Sequence, residues 1–162
     1  IQDWFEVRSI GEAEELANYS FQRKWSFGLI WEDEAFVIKF KSEKFEQVRS
    51  DLPEVLRNLD LVILHHILFE KILGLNEEKQ RSSDQLAFER NFSRCVREVR
   101  GGKATFAIIT RELELEQVLE VCRSGQVMPQ KSTYFYPKAL GGLLFASIKQ
   151  DEFDYDYGAF FK

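Results

Sequence analysis

The sequence predicts one α+β, or mixed α/β, domain with a mixed β-sheet flanked by helices around one central apolar helix. The chain has 162 residues, of which 44% are hydrophobic, so it can bury a core and is short enough to be a single domain. Segments that alternate apolar and polar residues are interspersed with segments that repeat about every 3.6 residues. Residues 61–73 are apolar on nearly every side, as expected of a central helix.

Alternation predicts the strands of the first half. Residues 2–9 alternate in this way and predict the first strand. Residues 25–31 and 36–40 do the same on either side of the acidic stretch 32–34. Together they predict a β-hairpin, which we expect to close through a longer polar loop.

Helical spacing predicts the elements around that hairpin. A short helix is predicted from residue 13, and a longer helical stretch from residue 51 to Gly74, which suits a C-terminal stop. We expect a break near residues 58–60, where Asp60 can cap a second helix. The polar residues 75–84 are predicted to form a loop. The stripe of the short helix is Ala13, Leu16, Ala17, Ser20 and Phe21.

The second half alternates short strands with helices. Residues 86–88 predict a short strand, and Asn91 predicts the cap of a helix that ends at Gly101-Gly102. Residues 104–109 predict a buried strand, and Thr110 is predicted to begin the next helix. That helix is expected to end at Gly125.

The last elements set the expected domain bounds. Residues 141–148 predict a final strand, so we assign the domain to residues 1–150 and treat residues 151–162 as an acidic and aromatic tail. The chain begins at Ile1 and its only methionine is Met128. We therefore expect it to be a domain excised from a longer protein.

Charge and cysteine usage exclude some classes of function. The net charge is −5, which disfavours binding to nucleic acid because such binding needs a basic footprint. No apolar run is long enough to span a membrane. Cys95 and Cys122 fall on core-facing helical positions and are expected to be small buried hydrophobic residues, poor nucleophiles in a reducing, cytoplasmic compartment.

The segment from Met128 to Lys138 combines lysines, hydroxyls and aromatic rings between two prolines. If the segment is extended, alternate side chains share a face, and either face can hold a phosphate or a carboxylate. On the residues alone, a structural strand with packed tyrosines is the more common outcome. The candidate ligand-binding residues are Lys131, Ser132, Thr133, Tyr134, Tyr136 and Lys138.

His65 and His66 form a second candidate site, within the central helix. Adjacent helical residues point about 100° apart, so the two rings do not easily share one metal. His66 and Glu70 are four residues apart and can meet on one face. We expect a hydrogen-bonded structural pair more often than a binding or catalytic one, and we assign no metal ligands and no catalytic residues.

The same segment carries a resemblance to a known family. Residues 128–138, which read Met-Pro-Gln-Lys-Ser-Thr-Tyr-Phe-Tyr-Pro-Lys, and Gly142-Leu143 closely resemble the C-terminal signature of the bacterial and archaeal family called domain of unknown function 1015. Leu59-Asp60-Leu61, Leu64-His65-His66 and Leu73-Gly74 resemble a helix in the same relative place. The order of elements agrees as well, so the resemblance covers most of residues 1–150.

The resemblance implies a role in phosphotransfer. Members of that family are longer and carry an upstream Asp-Gly-His-His-Arg motif, similar to one in the ParB-like fold, which includes a free-serine kinase. This chain lacks the motif, so we expect it to be inactive alone and to contribute ligand contacts to a site completed by its own N-terminal half. The implied ligand is a phosphorylated small molecule, and no cofactor is indicated. The alternative is a structural domain or a homodimer with no ligand of its own.

Overall fold

Four strands form one sheet in the computed structural model, which describes residues 1–19, 23–82, 84–129 and 132–133. Their spatial order is β1-β3-β2-β4, and all three pairings are antiparallel. The α+β class is confirmed, whereas the parallel pairing of a mixed sheet is not found among these described strands. The strands are β1 (Phe5–Glu12), β2 (Ser26–Trp31), β3 (Glu34–Phe40) and β4 (Phe106–Ile109).

The predicted hairpin is confirmed, but its loop is shorter than expected. Trp31 pairs directly with Glu34, so only Glu32 and Asp33 form the turn. Glu32 has a φ of 55°, in the left-handed region that two-residue hairpin turns use. The acidic residues therefore close a tight turn without the usual asparagine or glycine.

Alternation along the strands divides the sheet into two faces, each with its own core. The central-helix face carries larger side chains that pack against the long helix. The α4 face carries smaller ones that pack against helix α4 (Phe92–Arg100). The fully or nearly buried sheet residues of the central-helix face are Phe5, Phe27, Leu29, Ile38 and Phe40. Those of the α4 face are Ile30, Ala35 and Val37.

The central helical stretch lies where the sequence predicts it and breaks at the expected place. Its parts are α1 (Glu54–Arg57), α2 (Asp60–Ile63) and a π-helix (Leu64–Ile72). Ile63 and Ile67 are completely buried, so this helix is central. Gly74 has a φ of 70° and ends the stretch. The nine-residue π-helix is unexpected, because the sequence predicts ordinary α-helix there.

Asp60 does not cap α2, contrary to the prediction. The residue before the helix is Leu59, in extended conformation and without a side-chain cap. Asp60 is the first helical residue, and its carboxylate accepts hydrogen bonds from groups distant in sequence.

Residues 75–84 contain a helix where we predicted only a loop. This helix, α3 (Glu77–Ser82), is capped by Asn76, whose side-chain oxygen accepts the Lys79 backbone N–H at 2.9 Å. The strand predicted at residues 86–88 is wrong, because that stretch has no strand pairing.

The short helices elsewhere follow the sequence with smaller shifts. A 3₁₀-helix covers Ala13–Asn18 and buries Ala13 and Leu16, because three residues per turn align these two and leave Ala17 exposed. A second 3₁₀-helix covers Ser42–Gln47. Helix α4 (Phe92–Arg100) begins at the predicted cap.

Helix α5 (Leu115–Arg123) begins five residues later than predicted, after a capping box formed by Glu114 and Gln117. The core-facing side also differs from the predicted stripe, because Val121 is completely buried whereas Leu115 and Cys122 are exposed. The prediction of a buried Cys122 is therefore wrong.

The predicted strand at residues 141–148 and the tail at residues 151–162 lie outside the described residues, and the domain bounds stay a prediction. Within the described ranges, no helix has the length and apolar character needed to cross a bilayer.

Candidate functional site

The predicted ligand-binding segment is described only in part. Lys131, Tyr134, Tyr136 and Lys138 lie outside the described residues. Ser132 is half-buried, and its hydroxyl donates to the Pro129 carbonyl at 2.6 Å. Its backbone N–H donates to the same oxygen at 3.3 Å. Ser132 is therefore held to Pro129 by two hydrogen bonds, and Thr133 after it is exposed.

His65 and His66 both line a cavity of about 480 Å³, which we call the helix cavity. Its walls come from α1, α2, the π-helix, α3 and the irregular segments near residues 88 and 128. The lining residues are Arg49, Leu52, Leu56, Leu61, Val62, His65, His66, Glu70, Glu77, Gln80, Arg81, Leu86, Phe88, Val127 and Pro129.

The π-helix brings side chains four residues apart onto one face. His66 is 8% exposed, and its Nδ1 lies 3.0 Å from Glu70 Oε2. The expected meeting of these two side chains is confirmed. A carboxylate on one ring nitrogen fixes the orientation and tautomer of an imidazole, which here lines the helix cavity. His66 is thus both hydrogen-bonded, as the structural interpretation expects, and part of a cavity wall.

His65 is half-buried beside Phe69, with ring centroids 5.2 Å apart. Burial lowers the pKa of His65, while hydrogen bonding between its ring and the Gln80 side chain and the charge of Glu77 act in the opposite direction. The net shift favours the neutral imidazole near pH 7. Gln80 also donates to the carbonyls of His65 and Leu75 at 3.3 and 2.6 Å, which ties α3 to the central helix.

Two arginines contribute positive charge to the cavity lining. Arg49 hydrogen-bonds to Asp51 and Glu77, and both bonds hold its pKa above the usual range. Arg81 contacts Glu77 at 3.6 Å, and both side chains are more than half exposed. An exposed ion pair of this length contributes little to stability, so the guanidinium of Arg81 can turn toward a ligand.

Another part of the lining is apolar and partly exposed to water. Phe88 is 58% exposed and Val127 is 85% exposed, although both are large apolar side chains. They project from segments without helix or strand structure. Exposed apolar residues grouped at a cavity are typical of binding sites.

A second buried polar group lies at the start of α2. Asp60 is 7% exposed and accepts the Trp25 backbone N–H at 2.8 Å and the Arg111 guanidinium. Trp25 has a φ of 60°, and its indole N–H donates to the Asn58 carbonyl at 3.1 Å. This arrangement joins the hairpin to the central helix, and we interpret it as structural because each of these groups has a partner.

The remaining chemically reactive groups do not gather at a site. Cys95 is half-buried, and burial raises the pKa of its thiol, which disfavours the nucleophilic thiolate. Over the described ranges, no three His, Cys, Asp or Glu side chains are placed to hold a metal ion.

Sequence reasoning identified the two histidines of the helix cavity but missed most of its other residues. The missed residues come from four separate segments, and no motif links these segments. They are Arg49, Gln80 and Arg81 of α3, Phe88 and Val127. The only signal that could have helped is the Asn76 cap, which places Gln80 and Arg81 on a helix.

Comparison with known proteins gives no match: no protein-family model, curated protein or solved structure is significantly similar to this chain. The fold and the cavity define an α+β protein with a candidate ligand-binding site. The resemblance to domain of unknown function 1015 stays a prediction.

Proposed function

We propose that this cytoplasmic domain binds a small phosphate-type anion at the helix cavity and forms one wall of a larger site. The observation that supports the proposal is the π-helix, which presents both histidines to a cavity that also contains Arg81 and Pro129. In the longer protein that the family resemblance implies, this wall would serve phosphotransfer on a small, serine-type metabolite.

The π-helix favours function over simple packing. Most π-helical geometry occurs as single turns within α-helices, frequently at functional sites. Here it extends over nine residues and contains three residues of the cavity lining, His65, His66 and Glu70. Unusual backbone geometry is commonly found at functional sites, so its presence in a cavity wall favours a binding role.

The anionic character of the ligand follows from the groups at the cavity. The one ion pair of Arg81 among the described residues is an exposed, long contact with Glu77, and its guanidinium can donate two parallel hydrogen bonds to a phosphate. Pro129 lines the same cavity, and Lys131 follows it two positions later in the sequence. Ser132 donates its hydroxyl hydrogen to the Pro129 carbonyl, so we assign it a structural role and assign anion contacts to Lys131 and Thr133.

The test is a calorimetric titration of the chain with inorganic phosphate and with phosphoserine at low ionic strength. We expect Arg81→Ala and Lys131→Ala each to weaken binding about tenfold, since each removes a charged donor. Arg94→Ala is the matched control: it is similarly exposed and also pairs with a glutamate four residues away, but on α4. Its affinity should equal that of the unchanged chain.

Equal weakening in all three variants would indicate non-specific charge attraction and would overturn the proposal. Failure of the unchanged chain to bind either anion would also overturn it. In that case a concentration-dependent mass by light scattering would favour the dimerisation alternative, for which the 54% exposed Trp31 at the end of the hairpin is a candidate contact.

A further inference from the structure

We infer that the ligand of the helix cavity is amphipathic: a phosphate-type anion attached to an apolar group about the size of an aromatic ring. This inference rests on the proposed function and narrows its substrate class. It depends on three features of the cavity, namely its volume, the separation of its polar and apolar walls, and the exposure of its apolar rim.

The volume of the cavity exceeds the needs of a small inorganic anion. About 480 Å³ holds on the order of fifteen water molecules at roughly 30 Å³ each. Phosphate alone would leave most of this space filled with water against apolar walls. Small-molecule sites of about 300–1,000 Å³ usually surround most of their ligand.

The lining separates into a polar and an apolar part. The polar groups come from the π-helix, α3 and Arg49, and they are joined to one another: Glu77 contacts Arg49 and Arg81, and Gln80 donates to the His65 carbonyl. The apolar part lies on α1, α2 and the irregular segments. Its members are Leu52, Leu56, Leu61, Val62, Leu86, Phe88, Val127 and Pro129.

The charges of the lining favour one anionic group and disfavour a highly charged ligand. The two arginines are balanced by Glu70 and Glu77, and Arg49 already has two carboxylate partners. Burial keeps His65 mainly neutral near pH 7. Arg81 is then the lining group best able to take a new anion, at the exposed end of the cavity.

The exposed apolar rim supplies the reason for an apolar group on the ligand. Phe88 and Val127 together leave much apolar surface in water, and a ligand that covers them recovers the hydrophobic free energy of that surface. Both residues lie in segments without regular structure, which can adjust around an aromatic ring.

The test compares phenyl phosphate with inorganic phosphate in the same calorimetric titration. We expect phenyl phosphate to bind at least about tenfold more tightly, because its ring is removed from water. Phe88→Ala should remove most of that advantage, so the ratio of the affinities for phenyl phosphate and inorganic phosphate should fall toward one. Leu115→Ala is the matched control, since Leu115 is 60% exposed on α5, outside the cavity lining.

Val127→Ser is the second variant and should also reduce the preference for phenyl phosphate over inorganic phosphate. Both altered residues are exposed, so the variants should fold. Equal affinities for the two phosphates would overturn the amphipathic ligand and leave the anion proposal intact. Binding of benzyl alcohol as tightly as phenyl phosphate would overturn the need for an anion. Binding of neither phosphate would overturn both proposals.

Discussion

The two faces of the sheet are packed in different ways. On the α4 face, small aliphatic side chains such as Ala35 and Val37 meet Val96 and Val99 of α4, and the buried polar residue that alternation places on this face is Ser26, with only a hydroxyl. On the central-helix face, aromatic side chains pack against α2 and the π-helix, and two buried polar residues, Asp60 and His66, lie on that helix. The helix cavity is on this side.

The difference shows where the chain can support a function. Small side chains allow α4 to approach the sheet closely and leave little room for a ligand. Large side chains on the other face hold the central helix in place, and its far side and ends contribute to a cavity. Buried polar groups then need partners, and the carboxylate partner of His66 is part of the cavity lining.

Removal of a large side chain from the central-helix face should give the largest effect on stability. Phe27 is completely buried and packs edge-on against Phe5, with ring centroids 6.4 Å apart. We expect Phe27→Ala to lower the free energy of unfolding by about 3–5 kcal/mol. Phe92→Ala, the matched change at a half-buried residue of the α4 face, should cost clearly less. Urea denaturation measures both, and equal losses would contradict the difference between the faces.

Loss of the buried Asp60 carboxylate should give the second-largest decrease in the free energy of unfolding. Asp60→Ala leaves the Trp25 N–H and the Arg111 guanidinium without their partner, which should cost about 3 kcal/mol. Asp60→Asn keeps an acceptor and should cost less. Glu46→Ala is the control, because its side chain is 87% exposed and makes a long contact of 3.5 Å with Arg57, so its loss should barely change the urea midpoint. A cost no larger than that of Glu46→Ala would show that Asp60 does not join the hairpin to the helix.

The smallest expected effect is the contribution of His65 to the pH dependence of the free energy of unfolding. Burial holds its folded pKa below the ordinary value, so the unfolded chain takes up this proton more readily. Stability should therefore fall as the pH drops through the unfolded pKa of about 6.5 toward the lower folded pKa. His65→Gln should show a smaller loss of unfolding free energy than the unchanged chain between pH 7 and pH 5.5. Identical losses of unfolding free energy in the two proteins would mean that His65 does not contribute to the pH dependence of stability.

The sequence predicts the parts of the fold that depend on local periodicity. The alternation in residues 25–40 identifies the hairpin and the side chains of both faces, because a strand has a period of two residues. The Asn91 cap and the stop at Gly74 also lie where predicted. Errors concentrate at helix starts, helix faces and short strands: α5 begins later than predicted, its Cys122 is exposed, and residues 86–88 have no strand pairing.

The site is only partly predictable from the sequence, because only some of its residues belong to a local pattern. His65 and His66 stand out because they are adjacent and polar within an apolar helix, and the contact of His66 with Glu70 follows from helical spacing. The arginines and the apolar rim come from segments far apart in the sequence, with no common pattern. Their grouping depends on how α3 and the irregular segments pack beside the central helix.

The sequence alone determined the α+β class, the hairpin, the central helix and the histidine pair, since each depends on the order of nearby residues. The tertiary structure decided the π-helical geometry, the partners of Asp60 and the cavity. α- and π-helical hydrogen bonding differ by one residue in register, and packing around the segment decides between them. A cavity exists only once distant segments have packed against one another without filling the space between them.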